Sequence, residues 1–67
     1  MPLFAIAAQA VDPSWSIEDA RNFLDDMRAN LREDMGNMVF TNDRNGIVYV
    51  LMDQAGRYTT LSMLIKP

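Results

Sequence analysis

The segment from Ser16 to Met35 constrains the fold most, because its residues sort into three sectors when placed on a helix at ~100° per residue. The apolar sector contains Ile17, Ala20, Phe23, Leu24, Met27, Leu31 and Met35. A narrow basic seam beside it contains Arg21, Arg28 and Arg32. The acidic sector contains Glu18, Asp19, Asp25, Asp26, Glu33 and Asp34. This pattern predicts one amphipathic helix whose apolar sector lies in the core.

Start and stop signals bracket the same segment. Ser16 is suited to be the N-cap, and Asp19, three residues later, fits a capping box. Glu18 and Asp19 place negative charge at the positive end of the helix dipole. Gly36 lies where a left-handed C-cap would end the helix. Within this helix, Leu24 and Leu31 are predicted core positions.

After the helix, the apolar period changes to two, which is typical of strands. The segments rich in Val, Ile, Tyr, Phe and Thr are Asn37–Thr41, Ile47–Met52 and Tyr58–Ile65. Asn45-Gly46 between the first two is a strong hairpin signal, because both residues tolerate positive φ. Asp53 to Gly56 between the last two reads as a four-residue loop. The three segments therefore predict an antiparallel meander.

Residues 3–11 form an apolar run between Pro2 and Asp12-Pro13. The run is short enough for a strand, while its alanines equally suit a helical turn, and we favour a strand because a short helix nucleates poorly. The predicted fold is α+β, with one amphipathic helix on a three- to four-stranded antiparallel sheet in the order β-α-β-β-β. Both faces of the strand 47–52 are apolar. The face that the helix leaves open must be covered by residues 3–11, by a second copy of the chain or by a partner protein.

A chain of 67 residues is predicted to form a single domain, residues 1–67. It contains neither Cys nor His, so it has no disulfide and no Cys/His zinc site to supplement a small core. The apolar segment 3–11 is unlike a signal peptide, because no basic region precedes it and it runs into Asp12-Pro13. No apolar stretch of the sequence is long enough to span a membrane. We therefore expect a cytoplasmic protein, in the host cell cytoplasm if it is encoded by a phage.

The composition disfavours several function classes. A net charge of −3, with one Lys, argues against a protein that binds nucleic acid or an anionic membrane directly. Without His or Cys, and with the carboxylate doublets on a solvated sector, we predict no catalytic residues, no cofactor and no enzyme. The segment from Thr41 to Met52 fails as a calcium loop, because those two residues occupy positions that need acids. Core filling is the favoured role of the methionines, with an adaptable Met-rich binding surface as the alternative. Trp15 is expected to pack beside Ala20, with an interface anchor as the alternative.

The acidic sector is the predicted protein-binding site. Its doublets recur two helical turns apart, so they form a row about 25 Å long. Such a row imitates a phosphate backbone, and its predicted partner is a larger protein with a basic, nucleic-acid-binding surface. The plainer interpretation is a solvated face with weak pairs such as Arg21 with Asp25. A different alternative is a homo-oligomeric structural or assembly protein that uses an apolar sheet face or a sheet edge.

The segment Gly46–Lys66 resembles the closing hairpin of RelE/ParE-type toxins, but the catalytic residues and the longer helical hairpin of that family are missing. In its small size, acidity and lack of catalytic residues, the chain resembles phage-encoded anti-CRISPR proteins. That resemblance is one of class, without a shared motif. It implies an inhibitor of a nucleic-acid-binding protein, for example a CRISPR effector subunit.

Overall fold

The computed structural model describes residues 2–54 and 56–67. Their elements, in chain order, are α1 (Pro2–Val11), α2 (Ile17–Ala29), β1 (Arg32–Asp34), β2 (Asn37–Arg44), β3 (Ile47–Gln54) and β4 (Tyr58–Ile65). The strands form one antiparallel sheet in the order β1-β2-β3-β4. The predicted α+β class and the antiparallel meander are confirmed. The predicted order β-α-β-β-β is wrong, because two helices precede four strands.

The predicted strand over residues 3–11 is a helix. Ala5 and Ala8, one turn apart on α1, have no exposed surface and belong to the same core cluster as Ala20 of α2, a helix that α1 contacts. Small side chains let two helices approach closely, and alanine has the highest helix propensity. Packing against α2 therefore supplies the stabilisation that an isolated helix of this length lacks. The helix stops where Pro13 disfavours helical geometry for Asp12.

The N-terminus of α2 agrees with the prediction, since the Ser16 side chain accepts a hydrogen bond from the Asp19 N–H at 3.0 Å. Its C-terminus does not, because the helix ends at Ala29 rather than at Met35. Asn30 ends it by donating from its side chain to the Asp26 carbonyl oxygen at 2.7 Å. The following residues leave the helix axis and join the sheet as β1.

A tight turn at Met35-Gly36 accounts for this change. Asp34 pairs with Asn37 across the turn, and Met35 and Gly36 have φ values of 51° and 86°. Two successive positive φ values characterise a type I′ hairpin turn. Gly36 therefore adopts the left-handed conformation that the sequence predicted, but in a hairpin between β1 and β2 and not at a helix C-cap. Met35, predicted to be apolar core, is 95% exposed.

The predicted Asn45-Gly46 hairpin is confirmed, with φ values of 55° and 80°. The strands on either side are longer than predicted, since β2 extends to Arg44 and β3 to Gln54. The predicted loop from Asp53 to Gly56 is shorter, because β3 includes its first two residues. Ala55 of that loop lies outside the described residues.

The core lies between the two helices and one face of the sheet. Its buried members are Ala5, Ala8, Trp15, Ala20, Leu24, Met27, Ile47, Tyr49 and Leu51. Successive side chains of a strand point to opposite faces, so Val48, Val50 and Met52 face away from this core. Because α1 joins the same core as α2, residues 3–11 do not cover the opposite face. No helix within residues 2–54 and 56–67 is long and apolar enough to cross a membrane.

Candidate protein-binding surface

Four of the six predicted binding residues lie on α2, namely Glu18, Asp19, Asp25 and Asp26. All four are exposed. The buried residues of this helix are Ala20, Leu24 and Met27. At ~100° per residue the carboxylates occupy the side of α2 opposite those three. We call these four residues the helical acidic surface.

The helical acidic surface is shorter than predicted. From residue 18 to residue 26 the helix rises about 12 Å, roughly half the predicted row. Arg21 and Arg28 are exposed on one flank of it. The two ion pairs within the described part of the chain are Arg44 with Asp12 and Lys66 with Asp43, so neither involves α2. The carboxylates of the helical acidic surface are therefore available to basic side chains of another molecule.

The third predicted doublet, Glu33 and Asp34, lies on β1 instead of the helix. Glu33 pairs with Met38 and Asp34 with Asn37, and both acids are exposed. As neighbours on a strand, they point to opposite faces of the sheet, so they do not continue the helical row. Together with Arg32 they make β1 a short, fully charged edge strand, which protects that edge from pairing with other chains.

Sequence reasoning missed a polar cluster that joins the end of α1 to the β2–β3 turn. Asp12 is 4% exposed, and its Oδ2 atom lies 2.9 Å from Arg44 Nη1. The same carboxylate accepts hydrogen bonds from the Asn45 side chain at 3.2–3.3 Å and from the Ser14 N–H at 3.1 Å. Ser14 Oγ accepts from Arg44 at 3.3 Å. The tripeptide Asp12-Pro13-Ser14 has the residue types of a turn, but its partners Arg44 and Asn45 are far away in the sequence, so no local pattern could reveal the cluster.

The pKa of Asp12 lies below its ordinary value. Hydrogen bonding from the Ser14 side chain is the largest cause, opposed by desolvation, and the Ser14 N–H, the Asn45 side chain and the Arg44 charge lower it further. The pKa of Asp43 is also lowered, through its hydrogen bond and charge interaction with Lys66. Both carboxylates are held ionised as parts of the fold, which leaves them unsuited to proton transfer near neutral pH.

Beside this cluster lies an aromatic group of Trp15, Phe23 and Tyr49, whose ring centroids are 5.2–5.7 Å apart. The Arg44 guanidinium carbon lies 4.0 Å from the Trp15 ring centroid, a cation–π geometry. Trp15 is buried, as Ala20 is, and its indole N–H donates to the Ala8 carbonyl oxygen at 3.4 Å. Trp15 therefore joins α1, α2 and the sheet, a wider role than the local packing that the sequence predicted.

The buried Tyr49 hydroxyl has no hydrogen-bond partner among the described residues. Burial raises the pKa of this phenol, the Asp12 charge raises it further and the Arg44 charge lowers it. An unpaired buried hydroxyl costs stability, and the contacts of the Tyr49 ring with Trp15 and Phe23 offset that cost.

A second candidate surface is the sheet face that points away from the core. Its apolar residues are Val39, Val48, Val50, Met52 and Leu64, with Leu64 59% exposed. The registers place Val39 beside Met52, and Leu64 beside Val48. We call this group the outer apolar face. Contiguous apolar surface of this kind marks interaction sites in small proteins.

No group of three or more His, Cys, Asp or Glu side chains in the described part of the chain is arranged to hold a metal ion. The comparisons with protein-family models, with curated proteins and with solved structures find no match to this chain.

Proposed function

We propose that this protein is a small acidic binding module whose helical acidic surface docks on a basic, nucleic-acid-binding surface of a larger protein and blocks it. The observation that carries the proposal is the segregation of four exposed carboxylates on the side of α2 opposite its buried residues. The proposed activity is binding and inhibition, without a catalytic step. A CRISPR effector subunit in the cytoplasm of a phage-infected cell is an example of such a partner.

Charge-assisted hydrogen bonds between carboxylates and Arg or Lys are stronger than neutral ones, and complementary charge speeds association. A helix holds its carboxylates at fixed spacing, so less conformational entropy is lost on docking than from a flexible acidic tail. Because α2 is also anchored by Leu24 and Met27, the acidic surface cannot turn away from a partner without unfolding the core.

Charge reversal on the helix tests the proposal. The double variant Asp25→Lys, Asp26→Lys changes two exposed positions and is expected to fold normally. The assay measures nucleic-acid binding by a panel of purified CRISPR effector complexes in the presence of each variant. The unaltered chain is expected to inhibit at least one effector, and inhibition should weaken as salt rises. The double variant should weaken that inhibition at least tenfold.

Two control variants distinguish an effect of the helical acidic surface from an effect of charge elsewhere on the protein. Arg57→Glu changes an exposed charge in the β3–β4 turn and should leave inhibition unchanged. Glu33→Lys with Asp34→Lys changes β1 and is expected to have a smaller effect than the helical pair. Normal inhibition by the Asp25/Asp26 variant at physiological salt would contradict the proposal, because the acidic surface would then be only a solvated face.

A second candidate function is a homo-oligomeric structural or assembly protein. The outer apolar face favours it, because both helices pack on the other side of the sheet and leave this face uncovered by the described residues. Apolar association does not weaken with salt, whereas electrostatic blocking does. Light scattering across a hundredfold dilution tests this candidate. A monomer at every concentration would exclude it.

A further inference from the structure

We propose that a second copy of this chain pairs with β4, antiparallel and centred on Ser62, to give one continuous eight-stranded sheet. This inference rests on the second candidate function, self-assembly, but assigns the contact to the β4 edge of the sheet and not to the outer apolar face. It is independent of the helical acidic surface. It follows from the contrast between the two sheet edges, from the direction of the free backbone groups on β4, and from the distribution of charge.

The two edges of the sheet differ in length and charge. The β1 edge has three residues, all charged, whereas the β4 edge has eight residues without a charge or a proline. Long uncharged edges present unpaired N–H and C=O groups to any strand that can align with them. Tyr58, Leu64 and Ile65 on β4 are also 56%, 59% and 75% exposed. The β4 edge therefore lacks the features that prevent pairing.

The hydrogen bond from the Lys66 N–H to the Gly46 carbonyl oxygen, at 2.9 Å, shows which backbone groups of β4 are free. This bond is in register with the Ile47–Ile65 pair, one position further along. Hydrogen-bonded pairs alternate along an antiparallel ladder, so the even-numbered residues of β4 bond to β3. The outward N–H and C=O groups therefore belong to Thr59, Leu61, Met63 and Ile65.

An antiparallel partner strand that keeps both cores on the same side of the sheet must pair odd residues with odd residues. Centring on Ser62 places Leu61 opposite Met63 of the second copy, and Thr59 opposite Ile65. This register uses all four outward residues of each copy, with about eight hydrogen bonds between the chains. The two-fold axis makes the contact self-complementary, as expected for a dimer of identical chains.

If two copies associate, charge favours contact through this edge over contact through the β1 edge. Each chain carries a net charge of −3, so two copies repel each other unless their carboxylates stay apart. The helical acidic surface lies on α2, and α2 packs closer to β2 than to β4. Pairing through β4 places the two β1 edges at the far ends of the sheet, about 34 Å apart at seven strand spacings. Each copy would present its acidic surface outward.

Disulfide trapping tests the register, because the chain has no cysteine of its own. In the proposed dimer, Ser62 lies opposite Ser62 of the second copy in a non-hydrogen-bonded pair with Cα atoms about 4.5 Å apart, within disulfide range. Ser62→Cys should therefore give a disulfide-linked dimer in a glutathione redox buffer. Thr60→Cys is the matched control on the same strand, because its copies would lie about 13 Å apart.

A mixing experiment adds a second constraint. Thr60→Cys and Leu64→Cys should each stay monomeric on non-reducing gels, and an equimolar mixture should give a linked heterodimer, because the register places residue 60 opposite residue 64. Ser62→Cys is expected to link at least tenfold more than Thr60→Cys. Equal linkage of the two variants, or no linkage of either, would overturn the proposed pairing.

Thr59→Pro tests the same edge without a cysteine. Its lost N–H points outward, a position where edge strands tolerate proline, so circular dichroism should show a folded chain. Its dimer dissociation constant should rise at least tenfold by sedimentation. If scattering shows an oligomer that none of these variants affects, the β4 pairing is wrong and the outer apolar face remains as the contact. If the chain is monomeric throughout, both the pairing and the assembly function fall.

Discussion

Arg44 and Asp12 form an ion pair with 2.9 Å between Nη1 and Oδ2, and this contact ties the end of β2 to the end of α1. The Asp12 side chain is only 4% exposed, whereas that of Arg44 is 34% exposed and stacks on Trp15. The pair therefore fixes the position of the N-terminal helix relative to the sheet. It also links the aromatic group to the β2–β3 turn.

Replacing Asp12 should loosen this junction. Asp12→Asn leaves the Arg44 charge without its partner, and a larger fall in melting temperature is expected than for Asp43→Asn, whose ion pair with Lys66 is exposed. Differential scanning calorimetry measures both. Equal falls would show that burial of Asp12 adds nothing to its ion pair.

The same pair predicts a pH dependence. Because the folded-state pKa of Asp12 is lower than its ordinary value of 3.8, its contribution to stability is fully present above that value and is lost as pH falls through the folded pKa. Urea unfolding of the unaltered chain and of Asp12→Asn, compared at pH 6 and pH 3, should therefore show a smaller difference at pH 3. A difference that is independent of pH would contradict the prediction.

Leu24 and Leu31 should differ in their importance to the core. Leu24 has no exposed surface, while Leu31 is half-buried at the edge of the core in the link between α2 and β1. Leu24→Ala should cost about 2–5 kcal/mol of unfolding free energy, a large part of the total stability of a domain of this size. Leu31→Ala should cost less. Urea titration followed by circular dichroism checks both values.

Tyr49→Phe should not destabilise the protein and should stabilise it by up to ~1 kcal/mol, because it removes a buried hydroxyl that has no partner among the described residues. Tyr49→Ala is the control and should cost ~3–5 kcal/mol through the cavity. Since burial raises the pKa of this phenol, the unaltered chain should lose stability relative to Tyr49→Phe as pH rises above about 10. A clear loss of stability in Tyr49→Phe at pH 7 would reveal a hydrogen bond to the hydroxyl.

Met35→Asn should raise stability by a few tenths to about 1 kcal/mol. Met35 occupies the first position of a type I′ turn at φ 51° and is 95% exposed, so its side chain adds strain without packing. Asn45 occupies the equivalent position of the β2–β3 hairpin, where the preferred Asn-Gly sequence is already present. Met35→Val, which is less compatible with positive φ, should destabilise the chain. The same melting temperature for both variants would rule out turn strain.

Elements encoded by neighbours in the sequence could be predicted. The Ser16 cap, the start and apolar face of α2, the Asn45-Gly46 hairpin and the strands β2 to β4 each follow from periodicity or from a turn residue nearby, whereas the end of α2 at Ala29 does not. Their signals agree locally, so tertiary contacts had no competing preference to overcome. The four acids of the helical acidic surface were placed correctly on a helix for the same reason.

Tertiary structure decided the rest, because the remaining segments fit two conformations about equally well. Residues 3–11 suit a strand or a helix, and burial of Ala5 and Ala8 against α2 selects the helix. The segment Arg32–Asp34 continues the helical period, but it pairs with β2 across the Met35-Gly36 turn, so its backbone groups find hydrogen-bond partners in the sheet. This pairing separates Glu33 and Asp34 from the four acids on α2. The Asp12–Arg44 pair likewise depends on two turns meeting in space. No local pattern encodes such contacts, since their free energy is gained only when distant segments pack together.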